Sequence, residues 1–260
     1  MQLKDKHILV TGASVDSDIG LAICVALASQ GARLGLIGRR AEALEATLTH
    51  IHAMTPTQEA DVVPAHYIHA IDLAELDTIV PTIKQLVTLH GPFDGLVHSA
   101  SFQGYSPLKT LKPSQIGQYF DINFAAAAML LSAFAKQQQA NAGASLILIG
   151  SAAGQKGLKG RCLYAASKAA LTSLVKSAAL ELADKHIRVN CVAPALVSGS
   201  KADKQFAMLG EQQAEALKAA HPLGIATPTD VADAVSFLLG PHSQKITGAT
   251  LNVDGGFLAG

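Results

Sequence analysis

Short apolar runs alternate along this chain with longer stretches of helical periodicity, and that alternation leaves few folds open. His7-Ile-Leu-Val-Thr11 is the first run. Ala32 to Ile37, His66 to Ile71, Asp94 to His98, Ala144 to Gly150 and Ile187 to Val192 follow, and Lys245 to Val253 contains a seventh. Between them the pattern predicts helices over about Ile19 to Gln30, Ala41 to His52, Glu75 to His90, Pro113 to Gln139 and Tyr164 to Ala183. The runs are continuously apolar rather than alternating, as strands are when both faces are covered. Strand–helix alternation at this spacing predicts an α/β fold, a mostly parallel seven-stranded sheet with helices on both faces.

With 260 residues, no internal repeat and no low-complexity linker, the expected organisation is a single domain over 1–260. Residues 198–223 are more polar and break the rhythm. A strandless segment inside a compact domain is usually a lid or binding loop, so it is the candidate substrate cover; a surface excursion without a role is the plainer reading. Basic and acidic residues balance at 20 each, which gives no reason to expect nucleic acid or an anionic membrane as partner. Tryptophan is absent, so a stacking platform for single strands is disfavoured. No apolar run reaches the roughly 20 residues of a membrane span, and the N-terminus lacks the apolar region of a signal peptide. Cys24, Cys162 and Cys191 are widely spaced and odd in number, which implies neither a disulfide framework nor a metal site. The expectation is a reduced, soluble, cytoplasmic protein.

Three residues carry the chemistry. Ser151 ends the fifth apolar run, Tyr164 opens the alanine-rich helix, and Lys168 follows one turn later. Positions i and i+4 share a helix face, with Cβ atoms about 5–6 Å apart. A phenol titrates near pH 10, and a neighbouring ammonium is expected to lower that value. Ser151 can donate to an oxygen on which negative charge grows. This set can move a proton to or from a carbonyl oxygen while another group delivers hydride. A structural tyrosine beside a surface lysine would give the same local pattern.

A phosphate site is expected after the first strand. Thr11-Gly-Ala-Ser-Val-Asp-Ser-Asp-Ile-Gly20 is a glycine-bearing turn into a helix, and such turns present backbone N–H groups to an anion. Its two aspartates would repel a phosphate; Asp18 serves equally well as a helix N-cap. At the end of the second strand, where NAD-selective folds carry an acid, stand Arg39 and Arg40. Cations are disfavoured at a helix start unless an anion lies between them. The 2′-phosphate of NADP fits, so NADPH is expected over NADH.

These landmarks, in this order, resemble the short-chain dehydrogenase/reductase family from His7 to Gly256. Thr11 to Gly20 is similar to its TGxxxGxG loop, lengthened by two residues and with Asp18 where the middle glycine would fall. Leu96-Val-His-Ser-Ala-Ser101 takes the place of the NNAG turn, of which Ala100 alone is kept. Thr247 to Gly256 is similar to the family's C-terminal signature. The resemblance implies a Rossmann-type doubly wound fold and a catalytic tetrad of Asn123, Ser151, Tyr164 and Lys168, with Asn123 holding a water in a proton relay. It implies coenzyme contacts at Gly12, Ser14, Ile19, Gly20, Arg39, Arg40, Asp72, Leu73, Ala100, Tyr164, Lys168, Pro194 and Val197, and a homotetramer. Ala195 and Gly199 depart from the usual residues of the nicotinamide segment, and His98 is read as a satisfied polar residue at a strand end.

The implied activity is NADPH-dependent reduction of a ketone or aldehyde, or oxidation of a secondary alcohol; a 3-oxoacyl thioester, as used by 3-oxoacyl-acyl-carrier-protein reductases, is the nearest analogy. Two alternatives stand. Divergent enoyl-acyl-carrier-protein reductases share the features of the loop and of Phe93 to Ser99, but they space tyrosine seven before lysine, where this chain has Arg161. A silent NADP(H)-binding sensor or scaffold would keep the fold and lose turnover.

Overall fold

The computed structural model describes residues 2–55 and 65–260. Seven strands form one sheet: β1 (His7–Thr11), β2 (Arg33–Gly38), β3 (Tyr67–Ala70), β4 (Phe93–His98), β5 (Ala140–Ile149), β6 (Arg188–Pro194) and β7 (Thr250–Val253). Their order is β3-β2-β1-β4-β5-β6-β7 and every neighbouring pair is parallel. The expected doubly wound α/β sheet is therefore present. The order reverses between β1 and β4, the switch point where such sheets open a crevice beyond their carboxyl ends.

Alternate residues of each strand feed two cores, because side chains point to opposite faces. Leu9, Leu96, Leu146 and Leu148 pack with α3 (Leu76–His90), α5 (Ala126–Phe134) and α6 (Cys162–Glu181). Ile8, Val10, Val97 and Ile147 pack with α1 (Asp18–Ser29), α2 (Ala41–Met54) and α9 (Pro228–Leu239). Leu130 and Leu27, one on each face, are fully buried; truncating either to alanine should cost about 2–5 kcal/mol.

Two expectations are corrected. The helix expected over Pro113 to Gln139 carries a register shift and ends earlier. α4 (Pro113–Phe120) runs into a π-helical turn over Asp121–Ala125, α5 ends at Phe134, and β5 begins at Ala140. α9 was not expected at all, although its start is written in the chain. Thr227 Oγ1 accepts from the Asp230 backbone at 3.2 Å, the Asp230 carboxylate accepts from the Thr227 backbone at 2.7 Å, and Pro228 takes the first position. That is a reciprocal cap with a pre-set φ at the first turn. The polar segment 198–223 contains two short helices, α7 (Ser200–Phe206) and α8 (Glu211–Ala219). No helix among the described residues is long and apolar enough to cross a membrane.

Candidate active site

A cleft of about 1090 Å³ opens along the carboxyl ends of the strands. Its walls include Gly12, Ser14, Ile19, Arg39, Arg40, Asp72, Leu73, Ala100, Ser151, Tyr164, Lys168, Pro194 and Val197. Of the residues expected to act, only Gly20 and Asn123 lie behind the wall rather than on it.

The glycine turn is shaped by close backbone approach. Gly12 has φ +68°, and a Cβ there would stand 2.5 Å from the Ala100 nitrogen. A Cβ on Gly20 would stand 2.1 Å from the Gly12 carbonyl oxygen. The floor of the cleft therefore admits no side chain at either position, and bare backbone faces whatever lies above it. The helix cap is not Asp18. Ser17 is the N-cap, its hydroxyl accepting from the Gly20 N–H at 3.2 Å. Asp18 instead accepts a hydrogen bond from the Ser200 hydroxyl at 3.0 Å, tying the turn to α7. Asp16 pairs with Arg40. A pyrophosphate-bearing dinucleotide suits this surface, with its glycine cradle, helix start and paired arginines.

The catalytic candidates converge at the other end. Ser151 follows β5, where its hydroxyl caps a short 3₁₀ turn by accepting from the Ala153 N–H at 3.1 Å. Tyr164 and Lys168 share the inner face of α6, and both are buried. Lys168 Nζ donates to the Ile149 carbonyl at 2.8 Å and lies 5.9 Å from the centre of the Tyr164 ring. Burial lowers the Lys168 pKa to about 8, and the charge of Lys201 adds to the effect. The expected depression of the tyrosine by Lys168 is not found. Burial raises the Tyr164 pKa; the Ser151 and Gln103 side chains and the Arg161 charge pull it back down.

Asn123 sits in the π turn, and turns of this kind are frequent at functional sites. Its side-chain oxygen accepts from the Phe102 N–H at 2.7 Å and the Ser101 hydroxyl at 3.2 Å. Its amide donates to the Phe102 carbonyl and the Ser167 hydroxyl, both at 2.9 Å. Both acceptor sites and both donors of the side chain are taken, so it pins the 101–103 loop to α6. His98 pairs through Nδ1 with Thr11 Oγ1 at 2.8 Å, and the Ile122 backbone lies against the ring as a weaker partner. Burial and the Lys168 charge lower its pKa to about 3, so the ring is neutral.

One site residue was missed by sequence. Gln103 Nε2 donates to the Tyr164 hydroxyl at 3.3 Å from a loop with no periodicity to announce it. The nearest signal is its place two residues beyond the altered NNAG turn.

Fold and site together define a dinucleotide-dependent oxidoreductase of the doubly wound class. Comparison with known proteins makes the assignment specific. A family model described as enoyl-(acyl carrier protein) reductase matches residues 12–258. D-erythrulose reductase of Gallus gallus is 31% identical over 99% of this chain and 98% of its own. A 3-oxoacyl-[acyl-carrier-protein] reductase of Staphylococcus aureus is 31% identical over 96% and 97%. A blue fluorescent protein from a metagenomic library, solved in complex with NADPH, is 30% identical with a TM-score of 0.84, covering 99% of each chain. The chain belongs to the short-chain dehydrogenase/reductase family.

Proposed function

We propose that this protein is an NADPH-dependent carbonyl reductase, a single domain whose segment 198–223 closes over the substrate. The observation that carries the reading is the convergence of the Tyr164 hydroxyl, Ser151 and Lys168 at one end of the cleft whose other end is the glycine turn. The NADPH complex of a 30% identical relative supports the coenzyme. Gly12, Ser14, Ile19 and Gly20 would hold its pyrophosphate, Asp72, Leu73 and Ala100 its adenosine side, Pro194 and Val197 its nicotinamide side, and Arg39 and Arg40 its 2′-phosphate. Bound there, NADPH supplies the hydride.

The protein's own residues handle the proton. Tyr164 gives its phenolic proton to the carbonyl oxygen, and a pKa raised by burial keeps that proton in place at neutral pH. Ser151 holds the oxygen as negative charge builds. Lys168, anchored on the Ile149 carbonyl, keeps a cation behind the phenol, and Tyr164 regains from solvent the proton it gave up. Asn123 is a positioning residue through its four bonds. By family resemblance the working unit is a cytoplasmic homotetramer.

Enoyl reduction is the second reading, favoured by the description of the matching family model. Against it, Arg161 stands where that chemistry places its tyrosine. Acetoacetyl and crotonyl thioesters offered with NADPH separate the two. Oxidation of NADPH with the first and not the second is expected; the reverse overturns the carbonyl reading. Tight NADPH binding with no turnover across a broad carbonyl panel would mark a silent binder.

A further inference from the structure

Charge is distributed unevenly along the cleft. Its acids are Asp16, paired with Arg40, Asp18, bonded to Ser200 just before Lys201, and Asp72, beyond β3. Besides Lys168, the lining charges toward Tyr164 are Arg161 and Lys159, with Lys201 and Lys204 on α7, and no carboxylate lines the wall at Arg161. Among the described residues none of these four cations forms a salt bridge. Asp203, the acid nearest in sequence on α7, is exposed and does not line the cleft.

Arg161 differs from a waving surface cation. It stands immediately before α6, three residues ahead of Tyr164, and its backbone bridges to Ser106. One guanidinium nitrogen donates to the Gly104 carbonyl at 3.1 Å, which fixes the group and leaves its other donors free. Its charge is felt at the Tyr164 hydroxyl, and that of Lys201 at Lys168. Lys204 follows Lys201 by three positions on α7, and both face the cleft. The remaining wall beside Arg161 is apolar or neutral, formed by Phe102, Tyr105 and Met208.

A pre-placed guanidinium among unpaired cations, in the half of a cleft where the reacting carbonyl must lie, is a binding site for an anion. We propose that the physiological substrate is a carbonyl compound bearing an anionic group, a carboxylate or a phosphate, which Arg161 binds while the carbonyl oxygen meets Tyr164. Lys159, Lys201 and Lys204 raise the local concentration of such substrates. The proposal rests on the carbonyl-reductase reading for its geometry, but the charge preference can be measured without turnover.

The test uses matched pairs: 4-oxopentanoate against its methyl ester, and the phosphate ester of 4-hydroxybutan-2-one against the free alcohol. NADPH oxidation gives kcat/KM at low and high salt, and calorimetry on the NADP⁺-loaded protein gives binding whether or not reduction occurs. Each anion should exceed its neutral partner by about 10- to 100-fold, and the advantage should shrink in high salt. The larger of the two advantages identifies carboxylate or phosphate. Arg161→Met should collapse the ratio and Arg161→Lys restore part of it. Lys204→Gln, at an exposed position, should reduce the ratio severalfold even if Arg161→Met fails to fold. Binding preference for the anion without any reduction would leave this proposal standing and sink the reductase reading. Reduction without preference would do the opposite. Anions that gain nothing over their neutral partners, in rate and in binding alike, overturn the proposal.

Discussion

Lys168 Nζ donates a hydrogen bond to the backbone carbonyl of Ile149 at 2.8 Å, so α6 is fastened to the end of the strand that leads to Ser151. The bond fixes where a buried cation can sit and leaves burial to set its pKa near 8. Below that value Lys168 is charged; as pH rises through it, the charge is lost. kcat/KM for reduction should therefore hold through neutral pH and decline above about 8. A pH–rate profile with NADPH in excess checks this, and a plateau persisting to pH 10 would remove Lys168 from the account.

Gln103 touches the same phenol from the other side, at 3.3 Å. Its amide favours the phenolate that follows proton transfer, and it faces the space where substrate must lie. Gln103→Ala should lower kcat/KM for a ketone by about 2- to 10-fold, the range of one neutral hydrogen bond. NADPH affinity should not move. Steady-state kinetics beside a coenzyme titration separate the two effects.

Asp16 occupies Arg40, the arginine proposed above for the coenzyme's 2′-phosphate. Its pairing with Arg40 is an exposed ion pair, screened by solvent and easily given up. Asp16→Asn should free Arg40 and tighten NADPH by up to about fivefold, leaving NADH affinity unchanged. Fluorescence titration with both coenzymes reads this directly. Equal tightening of NADH would locate the repulsion at the pyrophosphate instead.

The sheet was legible because its central strands are buried on both faces, so runs such as His7–Thr11 and Leu146–Ile149 stand out as unbroken apolar segments. The spacing of Ser151, Tyr164 and Lys168 was equally open to reading, since one strand end and one helix face determine it. What sequence hid was direction. Nothing in the order of residues says that Asp18 turns toward Ser200 and Asp16 toward Arg40. Nor does periodicity reveal a single π turn at Asn123, which shifts the helix register inside a stretch that still passes as one helix. Gln103 owes its place to the bonds Asn123 makes with Phe102, a contact across 21 positions that no local pattern encodes. α9 is a different case: its start is legible in Thr227, Pro228 and Asp230 themselves.

The account depends most on the proton of Tyr164, and Tyr164→Phe tests it with the smallest change of shape. Measured on a ketone that the wild type reduces, kcat should fall by about 10²–10⁴-fold, with the NADPH dissociation constant and the unfolding midpoint close to wild type. Turnover at the wild-type rate in the phenylalanine variant would show that the proton comes from elsewhere and contradict the mechanism.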